Sequence, residues 1–329
     1  MITKTNKRHL RALCSIHYSL FFSVALCAVL CLAFTACEKV VISDEEKAEN
    51  EDGLVEVTLR VSDVELMSGT AGTRTLTSIA DVSKRLNFLV YQNGSKVKTV
   101  NQKAEDSGFG TVSLSLTPGT YQLLVLAHNC PANPTTATPE KVQFNNTETG
   151  YTDTFYYYGD LTVDAENQET ELSLKRAVSL FRLTINDAKP AQVTKLRLYY
   201  SGGSCALNAV TGYGCVNSKQ TVWYDLSTTT ASPIQCDAYT FLHDETGTLK
   251  VTATAYSASD EVLYEHVFTD VSMERNHIKE YSGNFFVNGE EPIENPDTPD
   301  NPENPQTDTA RGIVIMADPA WAGTSTVNY

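Results

Sequence analysis

Residues 54–61 read Leu-Val-Glu-Val-Thr-Leu-Arg-Val, so that Val55, Val57, Leu59 and Val61 alternate with Glu56, Thr58 and Arg60. A period of two sends successive side chains to opposite faces of an extended chain, and this stretch is therefore a strand with one buried and one wet face. The period recurs downstream. Leu86, Phe88 and Val90 run into Asn93-Gly94, a pair that accepts the positive φ of a two-residue turn. Val97 to Val100 follow, which predicts a β-hairpin over 86–100. Val112, Leu114 and Leu116 lead through Pro118-Gly119 to Tyr121, Leu123, Val125 and Ala127, a second predicted hairpin. Phe181, Leu183 and Ile185, then Leu196, Leu198 and Tyr200, then Leu249, Val251, Ala253 and Ala255 carry the alternation onward. Only short helices are expected, with a segment over Leu76 to Arg85 as the candidate. About a dozen short strands separated by turn residues predict an all-β chain of β-sandwiches. The length beyond residue 50 suits two domains, an N-terminal one over 54–174 and a C-terminal one over 175–288, with the boundary between Leu172 and Ala177.

The chain has 329 residues, of which 41% are hydrophobic and 20% charged, a composition that supports folded domains rather than disorder. Its net charge of −15 excludes nucleic acid as a natural partner, because a polyanion would be repelled. The N-terminus reads as an export signal over 1–36. Lys4, Lys7, Arg8 and Arg11 precede an apolar run from Leu20 to Ala33, too short for a membrane-spanning helix, and the run ends at Phe34-Thr35-Ala36-Cys37. Small residues before a cysteine resemble the lipobox of bacterial lipoproteins. Cys37 is then the acylated first residue of the mature chain, which holds it to the outer membrane, and Phe34 stands where Leu is usual. The other reading of this segment is a plain signal peptide cut at a neighbouring Ala. Residues 37–53, with Asp44, Glu45, Glu46, Glu49, Glu51 and Asp52, form an acidic tether.

The C-terminal end changes character twice. Residues 289–309 carry Pro292, Pro296, Pro299, Pro302 and Pro305 among acids and no base, an extended solvated linker. Beyond it, in the segment 310–329, Ile313, Val314, Ile315 and Met316 form an apolar β-prone run on a leash. Such a strand either docks on its own sandwich or adds to a sheet in another molecule, where backbone bonds supply affinity and alternate side chains supply specificity.

Several pieces in order resemble the fimbrillin-associated anchor family and related type V pilus subunits. They are Leu86-Asn87-Phe88-Leu89-Val90-Tyr91 before Asn93-Gly94, Pro118-Gly119-Thr120-Tyr121 opening a Leu-Leu-Val-Leu-Ala strand, and Tyr158-Gly159 ahead of Leu172-Ser173-Leu174-Lys175-Arg176-Ala177-Val178. Met273-Glu274-Arg275-Asn276 before Tyr281-Ser282-Gly283-Asn284-Phe285-Phe286 completes the set. The resemblance implies two tandem transthyretin-like β-sandwiches, export as a surface lipoprotein of the outer membrane, and assembly with other fimbrial subunits by donor-strand exchange, supporting adhesion. It also implies trimming of shaft subunits after an Arg. Arg74, in Gly72-Thr73-Arg74-Thr75, is the candidate for that cut, which would release residues 54–61 but also detach the body from Cys37; an anchor subunit would stay uncut. Arg74 as an ordinary surface residue is the alternative.

The remaining patterns carry less chemistry. Cys130, Cys205, Cys215 and Cys236 follow Cys37 and allow three full pairings, with a local Cys205–Cys215 bridge across a Gly-rich loop as the candidate. No spacing matches a metal site or a catalytic set, and no cofactor is expected. His128, His243, His266 and His277 are read as surface or half-buried residues, and Ser201-Gly202-Gly203-Ser204 as a turn. Phe155, Tyr156, Tyr157, Tyr158, Tyr199, Tyr200, Trp223 and Tyr224 could offer a stacking platform for a host glycan, the alternative function, although strands in sandwiches use such residues chiefly for packing.

Overall fold

A computed structural model describes residues 53–67, 74–145, 151–286 and 321–329. The export signal, the tether, the proline linker and residues Cys37, Ile313, Val314, Ile315 and Met316 lie outside the described residues.

The first half folds as β1 (Val55–Met67), β2 (Arg74–Ser78), a one-turn helix α1 (Ile79–Val82), β3 (Arg85–Gln92), β4 (Ser95–Lys103), β5 (Thr111–Leu116) and β6 (Gly119–His128). It continues through β7 (Thr135–Thr138), β8 (Lys141–Gln143), β9 (Thr154–Val163) and β10 (Gln168–Arg176). β1 buries Val55, Val57, Leu59 and Val61, as the alternation requires. It lies between two partners, antiparallel to β5 from Val55↔Leu116 to Arg60↔Thr111 and parallel to β10 from Val57↔Gln168 to Glu65↔Lys175. β3 and β4 make the expected hairpin, and Asn93 and Gly94 take φ of 52° and 75° at its turn.

The second expected hairpin is not one. β5 pairs with β1, whereas β6 is flanked by β3 and β9 and so has no edge left for β5. The Pro118-Gly119 turn is instead an arch between two layers. Those layers are β5-β1-β10 and β9-β6-β3-β4. They join only where β10 meets β9, at Lys175↔Tyr156 and Arg176↔Phe155, so the sheet folds over at that corner. The inner faces close a core from Val57, Leu59, Leu114 and Leu174 on one side and Phe88, Leu123, Val125 and Phe155 on the other. The helix is shorter than expected because Leu76 is taken up in β2, which pairs it with Glu65.

The second half comprises β11 (Ser179–Ile185), β12 (Lys195–Ser204), β13 (Ala206–Asn208), β14 (Tyr213–Gly214), β15 (Asn217–Asp225), β16 (Ile234–Thr240), β17 (Thr246–Tyr256), β18 (Val262–Glu274), β19 (His277–Gly283) and β20 (Gly323–Asn328). Its pairing repeats that of the first half. β11 lies antiparallel to β16 and parallel to β19, as β1 does to β5 and β10, and β15-β12-β17-β18 repeats β4-β3-β6-β9. The chain is therefore a duplicated sandwich. The second copy adds β20, parallel to β19 at the sheet edge. Its core centres on Phe181, Leu183, Leu198, Tyr200, Val251, Phe268 and Tyr281.

A third apolar cluster binds the copies together. Leu89 and Tyr91 of β3 and Leu124 and Leu126 of β6 point away from the first core. They meet Val142, Phe144, Val178, Leu180, Leu207, Phe241 and Trp321. β3 and β6 are thus buried on both faces, which is why they read as nearly unbroken apolar runs. The small β14-β13-β8-β7 sheet, built from both halves, contributes Val142 and Leu207 to this cluster. Ser201 to Ser204 is not a turn but part of β12, with a bulge after Tyr200. Gly202 has φ of 100°, and a side chain there would drive its Cβ into the Thr248 carbonyl.

Candidate functional site

Two strands near the ends of the described chain are the ones whose seats could bear on assembly. The first is β1. Its backbone is paired on both sides and Val55, Val57, Leu59 and Val61 are buried, so removing it would leave β5 unpaired, β10 held only at its β9 corner, and Val112, Leu114, Leu172 and Leu174 uncovered. Arg74 opens β2 directly after residues 68–73, opposite Met67 of β1. Arg60, on the wet face of β1, pairs with Glu169 of β10 at 2.7 Å, both well exposed.

The second is the C-terminal tail, which anchors at three points. At its start Trp321 is 2% exposed, with the Arg176 guanidinium carbon 3.9 Å from the indole centre and the Tyr239 ring 6.2 Å away. Arg176 is itself fixed. It donates to both carboxylate oxygens of Asp153 at 2.7 and 2.8 Å and to Asn276 Oδ1 at 2.9 Å, and it also lies over Phe155. Asn276, at φ 59°, accepts the Ala322 N–H at 2.8 Å on its carbonyl and so starts the parallel register of β20 on β19.

In the middle of β20, Thr326 donates to Glu280 Oε2 at 3.0 Å, while Glu280 Oε1 accepts from Thr184. At the end Val327 and Tyr329 pack on the second core. The Tyr329 ring stands edge-on to Phe268, 5.3 Å between centres. Burial pushes its phenol well above the usual tyrosine range, and among the described residues its OH has no hydrogen-bond partner. Gly283 leaves the room for this. A side chain there would drive its Cβ into the Tyr329 carbonyl. The sequence reading puts a strand within 310–329 and allows it to dock on its own sandwich, but centres it on Ile313 to Met316. Gly323 to Asn328 escapes that reading because it is polar; the readable signal is a pair of aromatics, Trp321 and Tyr329, bracketing Thr324, Thr326 and Val327.

The other candidates are scattered by the fold. Cys205 and Cys215 are free thiols, as are Cys130 and Cys236. Leu207 pairs with Gly214, and Cys215 donates its N–H to the Ala206 carbonyl at 3.0 Å, next to the bend that carries Cys205. In the structure no disulfide joins Cys205 to Cys215. Burial raises the Cys130 thiol, and that of Cys236 to about 12.

His128 is fully buried, contrary to expectation. Its Nδ1 accepts the Cys130 N–H at 3.2 Å, which leaves Nε2 as the protonated nitrogen donating to Asn87 Oδ1 at 3.0 Å. Burial, aided by Arg85, lowers its pKa to about 4. It is a neutral structural imidazole.

The aromatic group also divides. Phe155 and Tyr200 are core residues, Tyr156, Tyr157 and Tyr158 pack on two different clusters, and Trp223 remains exposed on β15. Among the described residues no group of three or more His, Cys, Asp or Glu side chains is placed to hold a metal ion.

Solved structures of similar shape include three from Bacteroides and Porphyromonas. An adhesin candidate from Bacteroides ovatus has 11% identity and a TM-score of 0.46, with 70% of this chain and 88% of that one covered. The fimbrial anchor protein Mfa2 from Porphyromonas gingivalis has 12% identity and a TM-score of 0.38, over 66% and 82% of the two chains. The tip fimbrial protein Mfa3 from the same organism, with C-terminal truncation, has 12% identity and a TM-score of 0.34, over 66% and 81%. Among curated proteins no sequence matches this chain. Residues 48–298, spanning both copies of the sandwich, match a family of unknown function, DUF6562, and the chain belongs to that family.

Proposed function

We propose that this chain is a non-enzymatic structural subunit of a cell-surface fimbria that joins its neighbours by strand complementation. In this reading it is exported, acylated on Cys37 and held at the outer face of the outer membrane, where it links the fibre to the cell and supports adhesion. The observation that carries the proposal is the placement of the two terminal strands. β1 fills a slot between β5 and β10, and the tail after the proline linker ends on the open edge of β19. A strand at an edge, paired on one side, is the kind of element that exchanges between molecules.

Donation would use the unbroken apolar run Ile313, Val314, Ile315 and Met316, with β20 storing the end of the tail on its own sandwich beforehand. Acceptance would follow a cut after Arg74, which frees β1. An uncut chain keeps both its lipid and its first strand and would serve as the anchor; a cut one would serve as an accessory or shaft subunit.

The test is an unboiled denaturing gel of the mature chain after limited Arg-specific proteolysis, beside a version lacking residues 310–329. A ladder only with the full chain is expected for strand donation. Monomer bands in both lanes after a verified cut at Arg74 would sink it.

A further inference from the structure

On the outer face of β15-β12-β17-β18, Trp223, Arg197, Thr254 and Glu265 stand directly across from one another on successive strands. Trp223 is 41% exposed, a large apolar area to leave in water. It is not free to swing. Its ring lies 5.3 Å from Tyr256, and the Arg197 guanidinium carbon is 5.7 Å from Trp223, 5.4 Å from Tyr256 and 5.9 Å from Tyr199. Arg197 makes one long hydrogen bond, 3.4 Å to Thr254, and among the described residues no carboxylate pairs with it. Its role is to hold the aromatic rings. An indole fixed in this way stacks on a ligand at little cost in ordering.

Trp223 also forms one wall of a cavity of about 500 Å³, within the range of small-ligand sites, whose other walls include Thr194, Lys195, Asp225 and Ser227. The polar groups there have mixed sign. Lys195 Nζ lies 2.6 Å from Asp260, and the Asp225 carboxylate accepts the Ser227 N–H at 2.9 Å with lone pairs to spare. A polyanion would meet Asp225, Asp260 and Glu265, and a polycation would meet Lys195 and Arg197. A neutral polyol meets neither penalty, because each hydroxyl both donates and accepts.

We propose that this face binds a neutral polysaccharide, with the C–H face of one pyranose stacked on Trp223 and its hydroxyls bonded to Asp225 and Lys195 in the adjoining cavity. The function does not depend on subunit exchange, since none of these residues belongs to β1, β19 or β20.

The sequence holds two tryptophans, and Trp321 is buried away from added ligand, so a change in intrinsic fluorescence on adding sugar reports on Trp223. The mature full-length chain would be titrated with β-glucan, xylan and mannan hexasaccharides, and in parallel with hexagalacturonate and a poly-glutamate peptide. Saturable quenching by at least one neutral sugar is expected. Its affinity, measured by calorimetry, should fall at least about tenfold in Trp223→Ala and in Asp225→Asn, both melting like the parent. The proposal is overturned if no neutral hexasaccharide binds, if both variants bind unchanged, or if the polygalacturonate or the acidic peptide is the tighter ligand.

Discussion

Arg176 and Trp321 stack with 3.9 Å between the guanidinium carbon and the indole centre, which ties the last strand of the first sandwich to the C-terminal tail. A buried cation–π contact of this kind is worth about 2 kcal/mol beyond the area it covers. Trp321→Ala should therefore release the tail without unfolding either sandwich. Amide exchange should rise in residues 277–283 and 321–329 and stay unchanged in β1; unaltered exchange in the tail would show that Trp321 does not anchor it.

Gly283 offers an independent handle on the other end of the same tail. Gly283→Val places a branched side chain where the Tyr329 carbonyl sits. The expected outcome is faster exchange at Val327 and Tyr329 and a changed near-ultraviolet circular dichroism from the Tyr329–Phe268 pair, with Trp321 still buried.

Stability should depend on pH through His128. Its folded pKa, about 4, lies below the unfolded value of 6.5, so the unfolded chain binds more protons between those limits. The contribution is fully present above pH 6.5 and is lost as the pH falls toward 4, amounting to roughly 3 kcal/mol over the window. Urea melts at a series of pH values should show this slope, and His128→Gln should flatten it.

The two faces of β1 should respond unequally to truncation. Leu59→Ala opens a cavity in the core between the two layers and should cost about 2–5 kcal/mol. Among the described residues the Thr58 side chain bonds to Ser113 at the surface, at 3.1 Å, and Thr58→Ala should stay within about 0.5 kcal/mol. Equal losses in denaturant melts would contradict the buried slot.

Thiol accessibility tests the register around Cys215. In the native protein Cys215, which is exposed, should react with a disulfide reagent, whereas Cys130 and Cys236 should react only after unfolding. A native chain in which Cys215 is inert until reduced would reinstate the bridge to Cys205.

These outcomes rest on features that differ in how far they can be read from residues. β1 and the β3–β4 hairpin were legible because one face of each period is wet or the turn pair is diagnostic, as at Arg60 and at Asn93-Gly94. Pairing partners were not. The link at Pro118-Gly119 looks like a hairpin turn, but β6 is already bonded on both sides, a non-local fact that no window of sequence contains. The cluster between the copies was written in Leu89, Tyr91, Leu124 and Leu126, which break the alternation by being apolar at positions where a one-sided sheet would be polar. His128 escaped because its burial depends on Asn87, 41 residues away. The tail escaped because β20 is held by its two ends and its backbone rather than by an apolar stripe.

The duplication has a consequence for valence. β1 and β11 occupy equivalent seats, each antiparallel to one neighbour and parallel to another. β11 is spliced into the chain at both ends, two residues after β10 closes at Arg176, so vacating its seat would take two backbone cuts. β1 needs one. A molecule made of two like halves thus has a single seat that one cleavage can empty, and any array built through that seat is linear and has a direction.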